Sequence, residues 1–167
     1  FIIIFLTNCN NQNNLNGGVS STSSIASQVG IDILKKGGNA FDAIVATGFT
    51  LAVTSPSNGN LGGGGFLVAH IKDKGAISLD FRETAPEASY ETMFLDENQQ
   101  YSRELALNSH KSSGVPGTVN GLIKIFNDYG SGNFTLEEIM APAIYYAENG
   151  HEINSNAASG FDYYKSL

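Results

Sequence analysis

Gly62-Gly63-Gly64-Gly65-Phe66-Leu67-Val68-Ala69-His70-Ile71, then Lys72-Asp73-Lys74-Gly75 and Ala76-Ile77-Ser78-Leu79-Asp80-Phe81, is the stretch on which the fold turns. Phe66 to Ile71 and Ala76 to Phe81 read as two strands of a hairpin, with the polar tetrad Lys72 to Gly75 as its turn. The first strand is apolar enough to be mostly buried, and the four glycines ahead of it form the loop that leads into the sheet. Bare backbone N–H groups in a glycine run invite a phosphate-binding reading. Position opposes it: no Lys-Ser or Lys-Thr follows, and the run precedes a strand, whereas the dinucleotide fingerprint follows a strand and opens a helix. The glycines instead mark close backbone packing or positive φ, or small residues that leave room beside a site.

On the N-terminal side of the hairpin two helices are expected. Ser23 or Ser24 caps the first, which runs through Leu34 with Ile25, Val29, Ile33 and Leu34 near helical spacing. Lys35-Lys36-Gly37-Gly38 ends it, cations meeting the last carbonyls and glycine turning the chain. Asn39 caps the second, apolar nearly all round from Ala40 to Val53 and therefore buried on most sides. A short strand at Val19 to Thr22 precedes them. On the C-terminal side, Glu83 to His110 reads as largely irregular with a short helix around Tyr90 to Phe94. Helices follow at Thr118 to Tyr129 and at Thr135 to Glu148, the latter opened by a Thr135-x-x-Glu138 capping box. Helices beside a hairpin suggest a sheet covered by helices, but two strands alone leave unpaired edges. The remaining strands are expected from elsewhere, so that Leu167 is not the end of the folding unit.

Nine basic against sixteen acidic residues give a net charge of −7, which excludes nucleic acid as the main partner. The histidines His70, His110 and His151 are scattered, so neither a metal nor a cofactor is expected. No Gly-x-Ser-x-Gly elbow is present, and Ser112 and Ser113 read as loop residues. Asn133-Phe134-Thr135 fits a glycosylation sequon, but Thr135 is accounted for as a helix cap. The first residues, Phe1 to Leu6, are an uncharged apolar run too short to cross a bilayer, since about 20 apolar residues are needed. Residues 1–17 thus read as a signal-peptide remnant and polar spacer, and the protein as exported, periplasmic or extracellular. Leu6 three residues before Cys9 resembles a lipoprotein cleavage box, while Asn8 departs from one. A lipid anchor at Cys9 and an ordinary cleaved signal both stand.

Asp80-Phe81-Arg82-Glu83 is the most informative tetrad, because it ends a strand that otherwise belongs to the core. Arg82 offers a planar fork suited to two-point binding of a carboxylate. The alternative is a structural salt bridge to Asp80 or Glu83.

Five blocks in order resemble the gamma-glutamyltransferase family: Gln28 to Ala43, Asn60 to Phe66, Asp80-Phe81-Arg82-Glu83 with Ala85-Pro86, Met93 to Asp96, and Ser113-Gly114-Val115-Pro116-Gly117-Thr118. The resemblance implies an α+β N-terminal-nucleophile hydrolase, a four-layer αββα sandwich only partly contained in this chain. Residues 18–167 would then be the N-terminal portion of a large subunit, whose partner is a small subunit cut from the same precursor. It further implies gamma-glutamyl transfer and glutathione hydrolysis, with acceptor amino acids or peptides, through a gamma-glutamyl-enzyme intermediate on a threonine outside this chain. Arg82 matches the family arginine that binds the substrate α-carboxylate. No residue matches the nucleophile, so no catalytic residue is assigned and this segment alone is expected to be inactive. A cephalosporin or glutaryl acylase on the same scaffold, or a non-catalytic paralogue that binds gamma-glutamyl compounds, are the alternatives.

Overall fold

The computed structural model describes residues 17–57, 59–153 and 155–165, so the apolar start and Cys9 lie outside the described residues. Helix α1, Ser24–Lys35, begins where the Ser23 hydroxyl accepts the Ala26 N–H at 3.3 Å, a cap that contributes about 1 kcal/mol. It buries Ala26, Val29, Gly30 and Ile33 and stops where Gly37 takes φ +92°, a conformation glycine adopts without strain. Helix α2, Ala40–Thr54, opens with a reciprocal cap: Asn39 Oδ1 accepts from the Phe41 and Asp42 N–H groups, and Asp42 Oδ2 accepts from Asn39 N–H at 2.8 Å.

The second helix is the hub. It packs against α1, against α4 (Thr118–Tyr129) and against α5 (Leu136–Asn149). Val45, Ala46 and Phe49 meet Val29, Ile33, Leu122, Ile125 and Ile139 in one continuous core. Each of these valine, leucine, isoleucine and phenylalanine side chains, withdrawn from water, contributes about 1.5–3 kcal/mol. The box expected at Thr135 and Glu138 forms, and Glu138, whose carboxyl is held below its ordinary value chiefly by the Thr135 N–H, is thereby committed to the cap.

The α1–α2 corner is tied to the end of α4 and the loop that follows it by polar bonds across 89 to 96 residues of sequence. Asp42 is fully buried, and its carboxylate accepts the Ser131 N–H at 3.1 Å as well as that of Asn39. Asn39 Nδ2 donates to the Tyr129 carbonyl at 2.8 Å, and Asn133 Nδ2 to that of Gly37 at 2.9 Å.

Strands β1, Phe66–Ile71, and β2, Gly75–Asp80, form an antiparallel hairpin in which Leu67 faces Leu79 and Ala69 faces Ile77. This face joins the helical core. The first strand is therefore not mostly buried as expected. Side chains alternate between the two faces of a strand, and among the described residues helices cover only one of them. Phe66 and Val68, on the other face, are 63% and 81% exposed. The chain is α+β, with helices layered on one face of the hairpin.

Two further expectations need correction. Val19 to Thr22 is not a strand, because the Ser21 hydroxyl bonds locally to the Ser23 carbonyl and the Ser27 hydroxyl, and this stretch pairs with no strand among the described residues. Tyr90 to Phe94 forms a turn rather than a helix, with Met93 N–H on the Tyr90 carbonyl. Instead a short helix, α3, covers Arg103–Asn108, capped by Ser102, and a last helix, α6, covers Ser155–Lys165; neither was expected.

Candidate functional site

The glycine run, the end of β2 and the Ser113-to-Thr118 turn meet beyond the open end of the hairpin. Phe81 continues the pairing of β2, exchanging N–H and carbonyl with Gly65 at 3.0 and 3.3 Å. Thr84 and Val115 then form an isolated antiparallel bridge. The Gly63 carbonyl accepts both the Gly117 and Thr118 N–H groups, at 2.9 and 3.0 Å. Three segments far apart in the sequence thus share backbone hydrogen bonds.

Such proximity explains the glycines. A Cβ on Gly64 would stand 2.7 Å from the Arg82 Cα, the Glu83 nitrogen and the Phe81 carbonyl oxygen, all main-chain atoms that cannot swing aside. A Cβ on Gly117 would overlap the Phe81 carbonyl. None of residues 62–65 has a positive φ. Of the readings open from sequence, close backbone approach is the one realised at Gly64. Gly62 differs: its Cβ would meet nothing nearer than the Asn60 side chain at 3.6 Å, so it leaves space rather than admits a neighbour.

Arg82 projects from this junction. Its backbone N–H donates to Asp80 Oδ1 at 2.9 Å, and its side chain donates from Nε to Glu83 Oε2 at 3.2 Å. The guanidinium carbon lies 5.6 Å from the centre of the Phe66 ring, within cation–π range. The side chain is 61% exposed, and among the described residues its only hydrogen bond leaves from Nε. The salt bridge considered from sequence therefore exists, with Glu83 rather than Asp80 as its partner. It occupies one edge of the guanidinium and leaves the terminal nitrogens free.

Glu83 is held ionised by this arrangement. Its carboxyl lies below its ordinary value first because of its own backbone N–H; desolvation, the next largest effect, opposes this, and the hydrogen bond and charge of Arg82 and then the Gly64 backbone add to the lowering. Arg82 lines two hollows, one of about 330 Å³ with Phe81, Pro116 and Asn120, the other of about 490 Å³ with Gly62, Pro86 and Met93. The ring of Phe66 under the guanidinium escaped sequence reading. Strand register carried the signal, since Phe66 lies opposite Asp80, two residues before Arg82. Ser112 donates its hydroxyl to the Ser109 carbonyl at 2.6 Å, the turn role expected for it.

Comparison with known proteins gives this geometry a lineage. Residues 26–166 match the gamma-glutamyltranspeptidase family model. The chain is 43% identical over 150 residues to the glutathione hydrolase proenzyme of Escherichia coli K12, covering 90% of this chain but 26% of that protein. It superposes on the crystal structure of Helicobacter pylori gamma-glutamyltranspeptidase with a TM-score of 0.83 at 41% identity, over 87% of this chain and 41% of that one. A cephalosporin acylase from Bacillus halodurans is more distant, with a TM-score of 0.69 and 32% identity over 85% of this chain and 26% of the acylase. The match to the family model, the identity to this proenzyme and the superposition on this structure agree: the chain belongs to the gamma-glutamyltranspeptidases.

Proposed function

We propose that Arg82 binds the α-carboxylate of gamma-glutamyl compounds, and that this chain is the part of a larger precursor which supplies that anchor. The precursor cleaves itself into a large and a small subunit. A threonine at the start of the small subunit attacks the gamma-glutamyl carbonyl, and water or an acceptor amine then resolves the intermediate, giving glutathione hydrolysis or transfer.

One observation carries the proposal: Arg82 is fixed at three points yet left open at its working end. Asp80 holds its backbone, Glu83 holds Nε and Phe66 lies under the guanidinium. A group held this way loses little freedom when a carboxylate arrives on the terminal nitrogens. The lower identity to the cephalosporin acylase supports a gamma-glutamyl over a cephalosporin acyl group. Self-cleavage of the precursor separates the enzyme from a non-catalytic binding paralogue.

Arg82→Lys in the full precursor tests the anchor. Lysine keeps the charge but not the fork, so KM for a gamma-glutamyl anilide should rise about 10- to 100-fold, the range of a lost charge-assisted hydrogen bond. Self-cleavage, followed by gel electrophoresis, should persist. An unchanged KM would remove Arg82 from substrate binding.

A further inference from the structure

Lys111 stands apart from the other cations of the chain. Lys35, Arg82 and Lys124 each have a carboxylate within 4 Å. The remaining basic side chains without such a partner, Lys36, Lys72, Lys74, Arg103 and Lys165, are exposed. Lys111 is half-buried, and among the described residues no carboxylate pairs with it. Its ammonium is instead positioned by an aromatic residue, with Nζ 3.5 Å from the Tyr90 hydroxyl and 6.0 Å from the centre of the Tyr90 ring. An ammonium has three donors, and this geometry engages one.

Its location gives the unused donors a purpose. Lys111 lines the same hollow of about 490 Å³ as Arg82, Glu83, Ser89, Met93 and Ser112. Arg82 and Lys111 against Glu83 leave one positive charge in excess there, in a chain whose net charge is −7. The volume lies in the range of small-ligand sites. A gamma-glutamyl peptide carries two carboxylates, one on the glutamyl α-carbon and one at the end of the leaving peptide.

We infer that Lys111 is a specificity-determining residue that binds the second carboxylate, the one on the leaving group, while Arg82 holds the first. The inference rests on the Arg82 reading and adds a selectivity to it: donors with an anionic leaving group bind more tightly than matched neutral ones.

The mature enzyme made from the full precursor is assayed with gamma-glutamyl-4-nitroanilide and gamma-glutamyl-3-carboxy-4-nitroanilide, which differ by one carboxylate on the leaving group. Lys111→Met keeps the stem and removes the charge. It should raise KM for the carboxylated donor about fivefold or more, the scale of one partly exposed charge pair, and change KM for the neutral donor less than about twofold. Lys111→Arg should restore the preference, and turnover of the neutral donor reports that each variant has folded and matured. Equal changes for both donors, or none for either, would overturn the inference. Arg82→Lys separates the two claims. If it raises KM for both donors while Lys111→Met raises neither, Lys111 falls and Arg82 stands; if it raises neither, the parent reading fails.

Discussion

Asp42 and Asp80 use the same side chain in the same way, each accepting backbone N–H groups to hold a corner of the chain, yet one corner is sealed and the other open. Asp42 is fully buried and serves two distant segments, through Asn39 and Ser131. Asp80 is exposed and, among the described residues, serves only Arg82, two residues on. Around Asp42 the chain closes over the carboxylate. Around Asp80 the glycines, the Phe66 ring and the Glu83 carboxylate steady an arginine without covering it. A carboxylate closed in on all sides is a structural element; one that braces a group facing solvent is a device for presenting that group.

The largest effect that should separate the two corners is on stability. Asp42→Ala strands two partly buried N–H donors, those of Asn39 and Ser131, each at a cost of about 1–3 kcal/mol, for a total loss of about 2–4 kcal/mol. Asp80→Ala exposes an N–H that water can satisfy, and its stability should stay within about 0.5 kcal/mol of the parent. Urea unfolding of the full precursor measures both. Comparable losses for the two would end the distinction between sealed and open corners.

The next effect lies within the open corner itself. Gly64→Ala forces a methyl against main-chain atoms at 2.7 Å and should cost about 1–3 kcal/mol, displacing Arg82 and raising KM with it. Gly62→Ala, two residues away with no atom nearer than 3.6 Å, should stay within about 0.5 kcal/mol of the parent. Unfolding midpoints and KM for a gamma-glutamyl anilide, measured on both variants, decide between close packing and conformational freedom as the reason for the glycines. Equal effects would point to the latter.

What could be read from the sequence follows the range of each interaction. The caps at Ser23, Asn39 and Thr135 and the turn at Gly37 depend on partners no more than four residues away, and helices α1, α2, α4 and α5 emerge within a residue or two of expectation. Helices α3 and α6 were invisible for a physical reason. α3 buries no side chain, and the α6 sequence has no apolar stripe, so no periodicity marks either of them. At the site, Arg82 and the glycine loop were legible as residue types, but their union was not. It is made by the Gly63 carbonyl receiving Gly117 and Thr118, more than 50 residues on, and by the register that lays Phe66 opposite Asp80. The pairing of Glu83 with Nε, rather than of Asp80 with the guanidinium, also escaped sequence, because it depends on side-chain geometry.

The smallest effect tests whether Glu83 is part of the open corner or merely beside it. Its carboxyl is held below the ordinary value of 4.5 first by its own N–H, then by Arg82. Because the pKa is depressed, the bracing of Arg82 is complete above about pH 4.5 and is lost as pH falls through the lower value the folded chain imposes. Glu83→Gln removes the charge at every pH. At neutral pH it should raise KM for a neutral gamma-glutamyl anilide about threefold, the scale of a partly exposed pair. The ratio of variant to parent KM should stay flat from neutral pH down to about 4.5 and approach one only as pH falls through the lower value at which the parent's own carboxyl gains its proton. A ratio of one at every pH would show that the remaining contacts, Asp80 and Phe66, suffice to hold the fork. A ratio that persists undiminished in acid would mean that the Glu83 side chain acts through its shape rather than its charge.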